Sequence, residues 1–198
     1  MSNEWISPWW QAVLLPDDWD VCGVSVPPLS VWHTFALENI GNRYLCGGPT
    51  DRDDAASLLL FAKHDMAGGR RLMQPQFVNF RARAMRKMHR QLDHVDALDI
   101  HTACSDYVTD CLRTVDRFEP KGGGKPCAVP YQWQLVRIVA ISLSGSLESA
   151  WNTPYAVARC LVDAYAEWKG DTSLMTQAAQ HMADTQTFEH QSEIGDVA

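Results

Sequence analysis

Residues 50–69 read TDRDDAASLLLFAKHDMAGG, and this segment determines the fold that the sequence predicts. Its apolar residues recur at helical spacing and spread in the middle until one turn is apolar on nearly all sides. Thr50 is placed to cap the helix, with Asp53 three positions on, and Gly68-Gly69 is expected to end it in the left-handed conformation. Because so apolar a helix needs other helices around it, we predict a mainly α-helical protein.

Further helix signals lie on both sides of this central segment. Ser30 is placed to cap a helix that Gly41 closes, and a short turn is expected at 145–152. Apolar periodicity and end signals predict the flanking helices at 31–40, 76–92, 95–118, 131–143 and 154–169.

A small β-hairpin is predicted before the first of these helices. Val13–Leu15 and Val21–Val26 are short β-favouring runs, and the turn between them is assigned to Pro16-Asp17-Asp18. Two strands alone are marginally stable, so the hairpin must pack on the helices. The predicted fold is a compact multi-helix domain with a small N-terminal β-hairpin.

The domain organisation follows from length and composition. A chain of 198 residues suits one domain with a real core, which we assign to 1–170. The Gly- and Pro-rich stretch at 119–129 is the best candidate for a subdomain break. Residues 171–198 are polar and poor in large apolar side chains, so we expect a flexible C-terminal tail.

Composition also excludes some classes of protein. The sequence has no apolar run long enough for a membrane span, and its first ten residues, MSNEWISPWW, lack the pattern of a signal peptide. The six cysteines are scattered without a C-x-x-C pair, which indicates reduced thiols in a cytosolic protein. Eight tryptophans are many for this length and are typical of cores or partner interfaces.

A basic segment stands out against the net charge of −7. Residues 70–90 contain seven Lys or Arg and no Asp or Glu, so the rest of the chain carries −7 − 7 = −14. This balance disfavours nucleic-acid binding by the whole protein but allows a local basic surface. Within the helix predicted at 76–92, the residues expected to face inwards are Phe77, Phe80, Ala84 and Met88.

Three arginines on the predicted opposite side, Arg83, Arg86 and Arg90, are candidate partner-binding residues. They could contact phosphates, an acidic partner or the chain's own acidic helices, and the simplest alternative is an ordinary solvated face. We favour a protein partner over nucleic acid, because the acidic remainder of the chain would repel a phosphate backbone.

A metal site is considered and set aside. His89, His94, His101 and Cys104 fall within sixteen residues, but there is no H-E-x-x-H motif and no Cys pair at zinc-site spacing. Cys104 also belongs to an apolar stripe, where a thiol behaves as a small hydrophobic group. We predict no metal and no cofactor, and a His/Cys metal-binding protein stays a remote alternative.

Catalytic motifs are considered in the same way. Lys121–Lys125 resembles a phosphate loop only superficially, because Pro126 follows it and no strand precedes it. There is no G-x-S-x-G motif, and the carboxylates within 51–54 are explained by helix capping. His33 is interpreted as a capping or packing residue. We therefore predict no catalytic residue and a protein that is not an enzyme.

Two stretches carry a resemblance to a known group of proteins. One is PPLSVWHTFALENIG (27–41), directly after the hairpin sequence, and the other is LSGSLESAWNTPYAVARCLVDAYAEWKGD (143–171). The arrangement of a "PLS-x-x-H" helix start and a late "W-x-T-P" helix start resembles small helical proteins of bacteriophage and prophage tail-gene clusters, including tail assembly chaperones.

This resemblance implies a non-enzymatic role in phage assembly. Such a chaperone coats the helical tape-measure protein in the host cytoplasm until tail-tube subunits polymerise around it. The expected partners are therefore the tape-measure or tail-tube protein, with self-association left open, and the alternative is a permanent tail or connector component of the virion. Trp5, Trp9 and Trp10 are further candidate partner-binding residues, unless every tryptophan belongs to the core.

Overall fold

The structure, a computed structural model, describes residues 15–112, 130–142 and 145–169. These ranges are mainly helical and contain a two-stranded antiparallel hairpin, which confirms the predicted fold class. The strands are β1 Trp19–Val21 and β2 Val24–Val26, and a 3-10 turn spans Pro75–Phe77. The helices are α1 Val31–Asn39, α2 Arg43–Cys46, α3 Arg52–Ala62, α4 Met66–Met73, α5 Val78–Leu92, α6 Ala97–Leu112, α7 Tyr131–Ser142, α8 Leu147–Asn152 and α9 Tyr155–Trp168.

The hairpin forms, but its turn is not where the sequence analysis places it. The run Val21–Val26, expected to be one strand, contains the turn instead: β1 ends at Val21, the chain reverses at Cys22-Gly23, and β2 pairs back with β1. Both turn residues have positive φ, 55° and 77°, which is the geometry that closes a two-residue hairpin. The Gly23 N–H donates to the Asp20 carboxylate at 2.7 Å. The expected turn at 16–18 is therefore wrong, and its proposed first strand lies mostly outside the described residues.

The central helix is α3, and it is covered on most sides as predicted. Its residues from Leu58 to Ala62 are all buried, with at most 4% exposure. The cap is Asp51 rather than Thr50, because the Asp51 carboxylate accepts from the Asp54 N–H while the Asp54 carboxylate accepts from the Asp51 N–H. Thr50 instead bonds a side chain of α6.

The glycine pair does not end α3, which corrects the predicted stop. α3 ends at Ala62, and Gly68 and Gly69 lie inside α4, which Asp65 caps by accepting from the Gly68 N–H at 2.7 Å. At Gly69, α4 approaches α1 so closely that an added Cβ would lie 2.4 Å from Trp32 Nε1. The glycine is therefore needed for helix packing and not for a left-handed turn.

Helix α1 begins and ends as the sequence predicts. Ser30 caps it in a reciprocal capping box with His33. At its other end Gly41 has φ 71°, the Gly41 N–H donates to Glu38 O and the Asn42 N–H donates to Leu37 O. This pair of bonds is a Schellman motif, in which glycine is favoured at the left-handed position.

The start of α1 is hydrogen-bonded to the start of α9. The Val31 N–H donates to Thr153 O at 3.0 Å, and the Tyr155 N–H donates to Leu29 O at 2.8 Å. The segment between α8 and α9 thus forms a short β-bridge with the residues that precede α1. The turn expected at 145–152 is mostly helix α8, capped by Ser146.

An aromatic cluster packs beside this junction. Trp151 of α8 lies against Trp32 and Phe35 of α1 and Trp133 of α7, with ring centroids 6.3, 5.3 and 5.0 Å away. The described helices before and after 113–129 therefore share one core. The predicted break at 119–129 and the predicted tail at 171–198 lie outside the described residues and stay predictions.

Candidate functional site

Helix α5 is amphipathic, and it packs one face on α3. Met88 and Leu92 are buried and Ala84 is half-buried, at the spacing of one helical stripe. Arg86 and Lys87 are exposed. The buried residues lie in the C-terminal half of α5, so its first turns have less cover than the periodicity alone predicts.

Phe80 is exposed, which corrects the expectation that it faces the core. Its exposed fraction is 53%, that of the neighbouring Val78 is 49%, and Phe77 is only half-buried. Phe80 belongs to the same stripe as Ala84 and Met88, but it lines a groove together with residues from the C-terminal end of α3 and the segment that follows it.

A groove of about 530 Å³ lies between the end of α3 and α5. Its apolar surface comes from Phe80 together with the buried or half-buried Leu60, Ala84 and Met88. We call it the α3–α5 groove, and its full lining is Leu60, Lys63, His64, Phe80, Arg83, Ala84, Lys87, Met88 and Gln91.

The charged side chains of the α3–α5 groove are all cationic. Lys63, Arg83 and Lys87 are exposed, and the described residues of the lining include no Asp or Glu. Within 15–112, 130–142 and 145–169, none of the three pairs with a carboxylate. Among the described residues, the groove therefore combines apolar side chains with cations that have no carboxylate partner.

The three candidate arginines do not share one environment. Arg83 lines the α3–α5 groove beside Phe80, so it is not on the opposite side of the helix from that ring. Arg86 and Arg90 are exposed and do not line the groove, and Arg86 Nε donates to the Ala82 carbonyl of its own helix at 3.3 Å. Trp5, Trp9 and Trp10, the other candidates, lie outside the described residues.

Sequence reasoning missed three residues of this surface, Lys63, His64 and Lys87. Lys63 and His64 follow α3 in the chain and come next to α5 only through folding. Lys87 lies seven residues after Phe80, which is two helical turns, so the spacing could have placed both on one face. The assumption that Phe80 was buried hid that signal.

His33 holds the end of α3 in place behind the groove. Its Nδ1 accepts from the Ser30 N–H at 2.9 Å, so Nε2 carries the proton and donates to His64 O at 2.7 Å. Burial lowers the pKa of His33, and the hydrogen bond to His64 O and the nearby Asp65 oppose this only in part. The prediction that His33 is a capping and packing residue is confirmed.

The side chains considered as metal ligands do not form a metal site. His89 Nε2 lies 3.1 Å from the Asp53 carboxylate, whereas His101 Nδ1 lies 2.8 Å from Thr50 Oγ1. Cys104 is fully buried and His94 is exposed. In the part of the chain that the structure describes, no three His, Cys, Asp or Glu side chains come together as a metal site would require.

Two cysteines of α6 are buried thiols and not nucleophiles. Burial raises the pKa of Cys104 and of Cys111 to about 12, so both are protonated at neutral pH. Cys111 Sγ accepts from the Leu29 N–H at 3.3 Å, and the nearby Tyr107 hydroxyl donates to Pro27 O at 2.6 Å. These contacts anchor the segment between β2 and α1.

Two further observations concern membrane insertion and similarity to known proteins. In the described ranges, no helix has the length and apolar character needed to cross a membrane. Comparison with known proteins gives no match to a family model, to a curated protein or to a solved structure.

Proposed function

We propose that this chain is a non-enzymatic assembly protein that binds a segment of another protein in the α3–α5 groove. The observation that carries the proposal is the exposure of Phe80 over an apolar floor in a groove of about 530 Å³. An exposed aromatic ring beside a groove is typical of partner interfaces, where aromatic side chains supply most of the contact energy. A groove between two helices suits an amphipathic helix of the partner.

At a finer level, we propose a bacteriophage tail assembly chaperone that acts in the host cytoplasm on the tape-measure protein. The resemblance that supports this rests on two stretches far apart in sequence, 27–41 and 143–171. Their helix starts lie together, since Leu29 and Val31 are hydrogen-bonded to Tyr155 and Thr153. The two stretches are therefore in contact within this chain.

The absence of enzymatic activity is also a proposal. It is supported by the packing of three potentially reactive side chains within the described residues. Cys104 and Cys111 are protonated packing groups, and both ring nitrogens of His33 are hydrogen-bonded to the backbone.

The exposed tryptophans Trp133 and Trp168, with exposed fractions of 45% and 74%, add apolar surface for binding a partner.

A co-purification experiment tests the proposed binding. The tagged chain is co-expressed with the tape-measure protein encoded in the same gene cluster, and the two are expected to purify together. Phe80→Asp is expected to abolish co-purification, whereas Val78→Asp is the matched control. Val78 has a similar exposure on the same helix but does not line the groove. Equal loss with both variants would contradict the groove as the binding surface.

Mass spectrometry of purified phage particles separates the chaperone from the alternative. A chaperone is expected to be absent from finished particles, while a permanent tail or connector component is present in stoichiometric amount and forms a symmetric interface. A gene between the tail-tube and tape-measure genes is expected for either role. A gene within a metabolic operon would count against both.

A further inference from the structure

We propose that the α3–α5 groove is specific for an acidic amphipathic helix, with an apolar stripe that contacts the groove floor and Asp or Glu residues on both flanks. The inference rests on the proposed binding function and states which class of segment is bound. Its grounds are the geometry of the groove, its charge and the charge of the rest of the chain.

The length of the groove fits a helical segment. From Phe80 to Gln91 the lining follows three turns of α5, about 16 Å at 1.5 Å per residue. A partner helix laid along this length presents apolar side chains at positions i, i+3 or i+4, i+7 and i+11. The exposed ring of Phe80 contacts one end of that stripe, and the floor at Ala84 and Met88 contacts the rest.

The charge of the groove selects the flanks of the partner helix. Lys63 comes from the end of α3, and Arg83 and Lys87 come from α5, so both elements that line the groove contribute cations. Their carboxylate partners are not found within the described ranges. Such edge charges contribute mainly to orientation, association rate and rejection of wrong partners, whereas the apolar contacts supply affinity.

Net charge makes the proposal sharply testable. The whole chain carries −7, so non-specific electrostatics would favour a basic peptide over an acidic one. The α3–α5 groove predicts the opposite preference. Preference for an acidic peptide would therefore have to come from a local site and not from the overall charge.

The experiment uses the full chain and two fluorescent helical peptides of 18 residues. Both carry leucine at i, i+4, i+7 and i+11, and their flanking residues are all Glu in one and all Lys in the other. Fluorescence anisotropy is expected to show the Glu peptide binding at least about tenfold more tightly, with an association rate that falls as salt is added. Equal binding, or tighter binding of the Lys peptide, overturns the proposal.

Two variants locate the binding. Phe80→Ala adds no charge and is expected to weaken binding of the Glu peptide by about 30-fold at every salt concentration, as for an aromatic interface residue that contributes much of the affinity. Lys87→Glu is expected to remove much of the salt dependence, and Arg90→Glu is its matched control because Arg90 is exposed on the same helix outside the groove. Far-UV circular dichroism checks the fold of each variant. If Lys87→Glu and Arg90→Glu behave alike, the groove is not the site.

Other occupants give distinct results that also overturn the proposal. The C-terminal segment 171–198 contains five Asp or Glu and no Lys or Arg. If Glu189→Gln with Glu193→Gln raises peptide affinity tenfold or more, the chain's own segment occupies the groove. A sub-micromolar, salt-sensitive complex with duplex DNA that Lys87→Glu abolishes would assign the groove to nucleic acid.

Failure of this inference is distinguishable from failure of the proposed function. If the tape-measure protein co-purifies through Phe80 but the two peptides bind equally, the binding function stands and the acidic specificity is wrong. If the Glu peptide binds in the groove but no phage protein co-purifies, the specificity stands and the phage role is wrong.

Discussion

His33 illustrates at the scale of one residue how burial and two hydrogen bonds make an ionisable side chain structural. Both ring nitrogens contact the backbone, one at Ser30 and one at His64. Protonation would put a second N–H where Nδ1 now accepts, inside a site with little access to water. The neutral ring therefore joins the start of α1 to the end of α3.

We predict an acid-sensitive contribution to stability from His33. Its pKa is lowered by burial, so below the unfolded value of about 6.5 the unfolded chain binds the proton first. The contribution of His33 is thus present above that pH and is lost as the pH falls. His33→Gln keeps a side chain suited to the capping box but cannot ionise. Urea unfolding between pH 8 and pH 5 should show the free-energy gap between wild type and variant shrinking; a gap independent of pH would contradict the prediction.

Gly69 is a second residue of structural importance, because α4 can pack against α1 there only if the residue has no Cβ. A Cβ there would meet Trp32 Nε1 at 2.4 Å, and the indole cannot move freely because it is buried among α1, α4 and α8. Gly69→Ala is expected to destabilise the protein by about 1 to 3 kcal/mol, the range for an overpacked core.

Gly68→Ala is the control for Gly69→Ala in urea or thermal unfolding. The added Cβ of Gly68 would lie 3.1 to 3.2 Å from side-chain atoms of His64 and Asp65, a much smaller overlap than at Gly69, and alanine favours the helix. Its effect is expected to stay within about 1 kcal/mol. Equal losses for the two variants would show that the approach of α4 to α1 is not tight.

At the scale of one element, the start of α3 depends on its first carboxylates. Asp51 caps the helix, Asp54 returns the bond, and Arg43 is ion-paired with both. The exposed pair between Arg43 and Asp51 adds little, because solvent screens it. The capping hydrogen bonds are the larger contribution to helix stability.

We predict that Asp51, and not Thr50, is the residue whose loss weakens α3. Asp51→Ala is expected to lower the free energy of unfolding by about 1 kcal/mol, as for other N-caps. Thr50→Ala is expected to change it by no more than about 0.5 kcal/mol. Asp51→Asn separates the effect of the capping hydrogen bond from that of the ion pair with Arg43, since it keeps a capping side chain and removes the charge. Thermal unfolding of the three variants measures this, and a larger loss for Thr50→Ala would place the cap at Thr50 after all.

At the scale of the whole molecule, the described helices on both sides of 113–129 share contacts. Bonds between Leu29 and Tyr155 and between Val31 and Thr153 are reinforced by the cluster around Trp151. Side chains from α1, α7 and α8 meet there in one continuous core. These contacts join the start of α1 to the start of α9.

We predict that this shared core unfolds as one unit. Trp151→Ala removes the centre of the aromatic cluster and is expected to destabilise the protein by about 3 to 5 kcal/mol. The far-UV circular dichroism and tryptophan fluorescence transitions should shift together. Trp168→Ala is the control, because Trp168 is 74% exposed and its loss should change stability by no more than about 0.5 kcal/mol. Two separate transitions in the Trp151 variant would instead support a subdomain break at 119–129.

Local patterns in the sequence determined where most helices lie and how α1 begins and ends. Ser30 and Gly41 act through bonds to residues a few positions away, so their roles can be predicted without the fold. The burial of α3 was predictable for a related reason, because a helix that is apolar on nearly all sides can be stable only when covered. The helical fold class followed from these signals.

Tertiary structure alone decided the candidate site. Periodicity shows which residues share a face, but the cover over that face depends on where a neighbouring helix ends. Phe80 is exposed although it shares a helical stripe with the buried Met88, and Gly69 is required because α4 meets Trp32. Lys63 reaches the groove through the same packing. Contacts between residues distant in sequence set each of these outcomes, and no local pattern encodes such distances.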